Sequence, residues 1–347
     1  MKTSLRHFQS SLIVTCVGLL AGFTIGYLYT QTLTGALESL FLTAVLAVLE
    51  ISLSFDNAVV NASVLRKMNA VWRQRFITWG ILLAVVGMRI VFPLAVVSIA
   101  AHVSPWQALI LATLQPKEYA QVMLSAHLPL AGFGSAFLLM VALNFFFNEN
   151  KKTHWLPGLE KVFAKLGRVE AVALGLALLL YYLLARYLPT TAEQVQFLNS
   201  AILGLITFLV VDGISAFLQV PESGQKNLHR NLHRTSAALF IYLEVLDASF
   251  SFDGVVGAFA LTNNLFIIIA GLGIGAMFVR SLTLLLVERQ TLDEFEYLEH
   301  GAFYAIGALA VIMVIDVFHP VPEVVTGLVG AVIIAIAFLS SVLTRPS

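Results

Sequence analysis

The feature that most constrains this chain is a recurring apolar run of about 17 to 25 residues, the length a helix needs to cross a hydrocarbon layer of roughly 30 Å. Such runs return from one end to the other, near 11–30, 35–64, 76–101, 130–147, 169–188, 197–219, 236–262, 265–287, 301–318 and 324–342. Lipid offers no hydrogen bonds to exposed backbone, so segments of this length are read as helices, which satisfy their own N–H and C=O groups. Only 12% of residues are charged and 59% are hydrophobic, against about 25% charged in a soluble domain, and no stretch is left for a large soluble domain. The expected fold is all-α, a polytopic membrane bundle of about ten transmembrane helices. Pro105–Leu114 is too short to span and reads as an interfacial or re-entrant piece. The first run follows Lys2 and Arg6 but lacks a small-residue cleavage site, so it reads as a retained helix.

Charge placement tests the count. Short cytoplasmic loops hold the excess of Lys and Arg. With the N-terminus inside, only Lys117 and Arg186 of the 20 fall on the outer side, and Arg89 and Arg280 fall within helices, which leaves 16 in the inner segments. The expectation is ten spans with both termini cytoplasmic, in the plasma or inner membrane. A net charge of +0 without a basic patch gives no sign of nucleic-acid binding. Cys16 is the single cysteine, which rules out an internal disulfide and a thiol-rich metal site.

One acidic motif occurs twice. The second run holds Glu50-Ile-Ser-Leu-Ser-Phe-Asp56-Asn57 and the seventh holds Asp247-Ala-Ser-Phe-Ser-Phe-Asp253-Gly254. Downstream, Gly80 precedes Arg89 by nine residues and Gly271 precedes Arg280 by nine. Two matches in the same order indicate an internal repeat, here an extra helix at 1–34, a first half at 35–168 and a second at 169–342. Five spans separate the copies, an odd number, so they should cross in opposite directions, as inverted repeats of secondary transporters do.

At roughly 100° per residue, Glu50, Ser54, Asn57 and Asn61 share one stripe, while Ser52 and Asp56 share another. Glu244, Asp247, Ser251 and Gly254 lie on one side of the seventh helix, with Ser249 and Asp253 on another. Glu50 and Asp56 are about 120° apart on an ideal helix. One ion can meet both only if the helix unwinds at Ser-x-Ser-Phe-Asp or if the two copies share ligands.

Setting aside Glu38 and Glu170 in first turns, seven carboxylates lie within the predicted spans, Glu50, Asp56, Asp212, Glu244, Asp247, Asp253 and Asp316, against the two arginines. Each charge at a helix centre costs on the order of 2.5–3.5 kcal/mol on insertion scales, so the excess calls for bound cations or protonated carboxyls. Asp212 and Asp316, near span ends, read as solvated interfacial groups. Clustered carboxylate, amide and hydroxyl oxygens, with neither thiol nor intramembrane His nearby, suit a hard divalent cation such as Mg²⁺, Ca²⁺ or Mn²⁺. Arg89 and Arg280 read equally as counter-charges for the site or as structural partners of a carboxylate. Gly271, Gly273 and Gly275 read as close-packing positions.

The stretch Glu-Ile-Ser-Leu-Ser-Phe-Asp-Asn-Ala with its following Gly-x8-Arg resembles the TerC family of integral membrane proteins. Phe-Phe-Phe-Asn-Glu-Asn-Lys-Lys-Thr-His-Trp-Leu, Glu-Val-Leu-Asp-Ala-Ser-Phe-Ser-Phe-Asp-Gly-Val and Glu-His-Gly-Ala-Phe-Tyr-Ala-Ile-Gly-Ala-Leu-Ala are similar to a TerC-related branch of unknown function; the likeness runs over roughly residues 35 to 342. It implies membrane metal-ion handling, most often manganese export, and places the motif's acids and Asn on Glu50, Asp56 and Asn57, with Asp247 and Asp253 in the second copy. Gly254 stands where the first copy has Asn57, so the halves should be unequal. The expectation is therefore a non-enzymatic divalent-cation transporter, Mn²⁺ favoured, with Glu50, Asp56, Asn57, Asp247, Asp253 and Glu244 as ligands and Ser54 and Ser251 as auxiliary oxygens. The alternatives are a non-transporting membrane metal sensor or stress-complex partner and, less favoured, an intramembrane aspartyl hydrolase built on Asp56 and Asp253. The oligomeric state is left open, a homo-oligomer included.

Overall fold

The computed structural model describes residues 2–80, 82–148, 151, 153–167, 171–219, 228–288 and 294–344. Among them there is no strand, and every predicted run falls on a helix. The helices are α1 Lys2–Thr30, α2 Leu33–Leu53, α3 Phe55–Leu65, α4 Ala70–Ala100, α5 Pro105–Leu114, α6 Pro116–Ser125, α7 His127–Phe146, α8 Pro157–Leu166, α9 Ala171–Ala185, α10 Thr191–Gln219, α11 Leu228–Leu261, α12 Leu265–Glu288, α13 Leu298–Phe318 and α14 Glu323–Leu343. Among the described residues eight helices are long and apolar enough to span, or nine if α8 and α9, bent by 102°, count as one. The remaining predicted run lies in α11, 34 residues long and carrying Glu244, Asp247 and Asp253. The protein is a multi-pass helical membrane bundle. α5 is only 10 residues long, in keeping with a piece that does not cross.

Local sequence sets the helix ends. Thr32 caps α2 by accepting the Gly35 N–H (3.1 Å), and Asn264 caps α12 by accepting the Phe266 N–H (3.0 Å). Ser104 and Gln107 form a reciprocal capping box, and Pro occupies the first turn of α5, α6 and α8, where a missing N–H costs nothing. Two apolar clusters hold the helices together. The larger includes Val59, Phe137, Tyr181, Phe197, Leu243 and Ile306; the smaller includes Leu46, Tyr119, Val256, Phe259 and Ile268. Outside them the surface is apolar, with Ile99, Leu203 and Leu328 all exposed, as a lipid-facing belt requires.

Glycine sets how closely α12 lies on α2. A Cβ on Gly275 would stand 2.4 Å from Cβ and Cγ of Glu50, and one on Gly271 would stand 2.5 Å from Leu46 Cβ. Gly273 is not part of this contact, its nearest neighbour being Val85 at 3.9 Å. Gly275→Ala is expected to cost about 1–3 kcal/mol by overpacking, read as a lowered thermal midpoint in nanodiscs. Gly273→Ala should leave the midpoint nearly unchanged.

Candidate functional site

The first motif interrupts its helix. Ser54 (φ −102°, ψ 15°) ends α2 by donating its N–H to the Glu50 carbonyl (3.0 Å), and α3 resumes at Phe55, with the Ala58 N–H on the Ser54 carbonyl (3.1 Å). The unwinding anticipated from the sequence is thus a break of a single residue. The second motif lies inside the unbroken α11.

The two copies touch in reversed order. Asn57 Nδ2 donates to Asp247 Oδ1, and a Cβ on Gly254 would lie 3.2 Å from Glu50 Oε2. The start of one motif meets the end of the other, so the segments run antiparallel where they meet. The position that breaks the sequence symmetry has a steric role: without a side chain, Gly254 leaves room for the Glu50 carboxylate. Gly80 does the same for Glu244, whose Oε1 would be 3.0 Å from a Cβ there.

Around this junction is a cavity of about 40 Å³, lined by Glu50, Ser54, Asn57 and Asn61 of the first half, Glu244 and Asp247 of the second, and both Arg89 and Arg280. That is space for about three or four water-sized occupants, on the order of 10–15 Å³ each. Arg89 and Glu50, each 3% exposed, form an ion pair through Nη2 and Oε1. Arg89 Nη1 donates to the Ala84 carbonyl (2.6 Å), and Ser54 Oγ donates to Glu50 Oε1 (3.1 Å). Three buried oxygens on the same lining, Asn57 Oδ1, Asn61 Oδ1 and Glu244 Oε1, have no hydrogen-bond partner. The lining thus carries three carboxyl groups and two guanidiniums.

The structure gathers Glu50, Ser54, Asn57, Glu244, Asp247 and both arginines, but not every candidate. Asp56 is buried away from the cavity. Its Oδ1 accepts the Asn57 N–H (2.9 Å), and its Oδ2 lies 3.8 Å from where a Cβ on Gly330 of α14 would be. The break at Ser54 is too short to swing Asp56 from its own stripe to that of Glu50. Ser251 is buried but does not line the cavity, and the side chain of Asp253 lies outside the described residues. Asn61 was legible as the fourth member of the Glu50 stripe; its role as an unpartnered acceptor was not. Among the described residues no group of three or more His, Cys, Asp and Glu is placed to hold a metal ion. Away from this site, Asp316 is not simply solvated: it pairs with His127 Nε2 (2.7 Å) and accepts the Val321 N–H (2.6 Å). Asp212 faces Asn144 at 3.5 Å in a separate cavity.

Comparison with known proteins places most of the chain in one family. Residues 55–346 match the family described as "Protein of unknown function (DUF475)". No curated protein and no solved structure matches the chain. Since the match covers the second motif, both Gly-x8-Arg pairs and all but the first helices, the chain belongs to the DUF475 family.

Proposed function

We propose that this protein carries a divalent cation across the membrane through the cavity between the two motif copies. The observation that supports this is the set of three buried oxygens without a donor, Asn57 Oδ1, Asn61 Oδ1 and Glu244 Oε1, on the lining of one cavity. An unmatched buried acceptor costs about 1–3 kcal/mol, and three at one place suit an oxygen-seeking cation, which accepts amide carbonyls beside carboxylates. Asn57, Asn61, Glu244 and Asp247 would hold it. A set with two amides and few carboxylates binds loosely enough to release, as transport demands. Mn²⁺ is favoured by the resemblance to the TerC family, and the distribution of Lys and Arg supports cytoplasmic termini in a plasma or inner membrane. Exchange of metal for protons at the carboxylates offers a natural coupling. A hydrolytic dyad is less well supported, since Asp56 is buried away from the cavity.

The test is Mn²⁺ uptake into proteoliposomes that enclose a fluorescent chelator. Wild type should show saturable flux, and Asp247→Asn and Asn61→Ala should lower it at least about tenfold. Equal flux in all three sinks the proposal; saturable binding with no flux would instead favour the membrane sensor.

A further inference from the structure

The two Gly-x8-Arg pairs share a spacing but not a geometry. α12 is α-helical over Leu265–Glu288, where nine residues turn the chain by about 900°, leaving Gly271 and Arg280 on opposite faces. Accordingly Gly271 packs on Leu46 while Arg280 lines the cavity. α4 instead contains two π-helical stretches, Phe76–Gly80 and Leu83–Val91. A π turn closes between residues i and i+5 and so advances roughly 80° per residue, which brings a nine-residue spacing back toward its starting face. Gly80 and Arg89 therefore both line the cavity, and Arg89 reaches Glu50.

Rewinding 83–91 as an ordinary α-helix would rotate Arg89 by about a third of a turn relative to Gly80 and take it off Glu50. There is room for the change. Behind α4 lies an apolar groove of about 680 Å³ toward α1 and α12, and Val85 belongs to the walls of both the groove and the cavity. Trp79, Leu82 and Val91 are exposed, so the outer face of α4 is not packed against the rest of the chain. Arg89 Nε has no partner, so the guanidinium is held by Glu50 and a carbonyl of its own helix.

We propose that Arg89 is a built-in counter-cation for Glu50, held there by the π-helical form of α4, and that α4 rewinds and withdraws it when a diffusible cation enters. Once freed, the Glu50 carboxylate joins Asn57, Asn61, Glu244 and Asp247 around the incoming ion, so guanidinium and ion compete for Glu50 and each favours a different winding of α4. This rests on the cation reading above and adds the element that moves.

The experiment uses the full chain in nanodiscs with MnCl₂. Arg89→Gln should bind Mn²⁺ about tenfold more tightly, since the competitor is gone, yet lose most of the flux. Glu50→Gln/Arg89→Gln should return affinity to within about threefold of wild type. Deleting Val86, which removes the extra residue a π turn contains, should tighten binding as Arg89→Gln does. In a Cys16→Ser background, Val85→Cys should react with maleimide at a rate that saturating Mn²⁺ changes several-fold, and Arg89→Gln should abolish that response. Loss of Mn²⁺ binding in Arg89→Gln, unrecovered in the double variant, would overturn the proposal and leave Arg89 a structural partner. If wild type binds no Mn²⁺, the divalent-cation reading falls by itself. Labelling of Val85→Cys then decides the moving element: a rate altered by Arg89→Gln upholds it, and an unaltered rate overturns it.

Discussion

Glu244→Gln is expected to weaken equilibrium Mn²⁺ binding by about ten- to a hundredfold, while Asp56→Asn changes it by less than about threefold. The contrast runs against the motif, in which Asp56 occurs in both copies and Glu244 in neither. Glu244 brings to the cavity a carboxylate oxygen with no hydrogen-bond partner, and the amide removes the charge that draws a cation there. Asp56 bonds its neighbour's N–H and faces Gly330; an Asn can keep that bond through its own Oδ1. Isothermal titration of purified protein with MnCl₂ distinguishes the two. A large loss in Asp56→Asn, with a normal thermal midpoint, would return Asp56 to the ligand set.

Glu160→Gln should cost about 3–5 kcal/mol of stability, the usual penalty for breaking a buried ion pair by removing one charge. The side chain of Glu160 is 0% exposed. Its Oε2 meets Lys151 Nζ at 2.8 Å and His154 Nδ1 at 3.3 Å, and its Oε1 accepts the N–H groups of Trp155 and Leu156 and the Tyr304 hydroxyl, each at 3.2 Å. This node fastens the 151–160 segment and α8 to α13. Burial pulls Lys151 below the ordinary lysine range, against the opposing pull of Glu160. Removing the carboxylate leaves an ammonium buried without its counter-charge. Thermal unfolding should show a clear drop, and Lys151→Met/Glu160→Leu should recover much of it, because an apolar pair of similar volume is often as stable as the ion pair it replaces. No recovery in the double variant would assign the stability to the N–H and hydroxyl bonds of Oε1 instead.

Glu160 did not stand out in the sequence, and its partners Lys151, His154, Trp155, Leu156 and Tyr304 did so only as parts of stretches with a family likeness, not as groups that meet; the reason is general to the chain. Hydropathy at spanning length places the ten long runs on helices, though not the short α6 and α8, because lipid forces a whole segment to satisfy its own backbone. It says nothing about an acid in the first turn of a short helix with a partner 144 residues further on, as Tyr304 is. The site was half legible. The stripe Glu50, Ser54, Asn57, Asn61 is a matter of helical phase, and phase survives folding, so those four do converge. The ranking of Asp56 above Asn61 followed the identity of the motif copies rather than the phase of the helix, and the structure follows the phase. The π-helical winding of α4 had no visible signal, since its sequence is as apolar as an α-helical span. Gly254 was visible only as a mismatch; the carboxylate it accommodates belongs to the other copy.

The N-terminal helix has a mechanical consequence. α1 lies against α2 and α12 at once: Ser11 Oγ donates to the Met277 carbonyl (2.7 Å) and meets Ser281 Oγ (2.7 Å), while Gly22 and Gly26 admit Thr43 and Ser39 of α2. α2 comes from the first half of the chain and α12 from the second, so α1 acts as a clasp along one seam between them. If the halves move as the proposed transport requires, a clasp along one seam would hold them from sliding past each other and let them part on the opposite side, as the covers of a book part away from its spine.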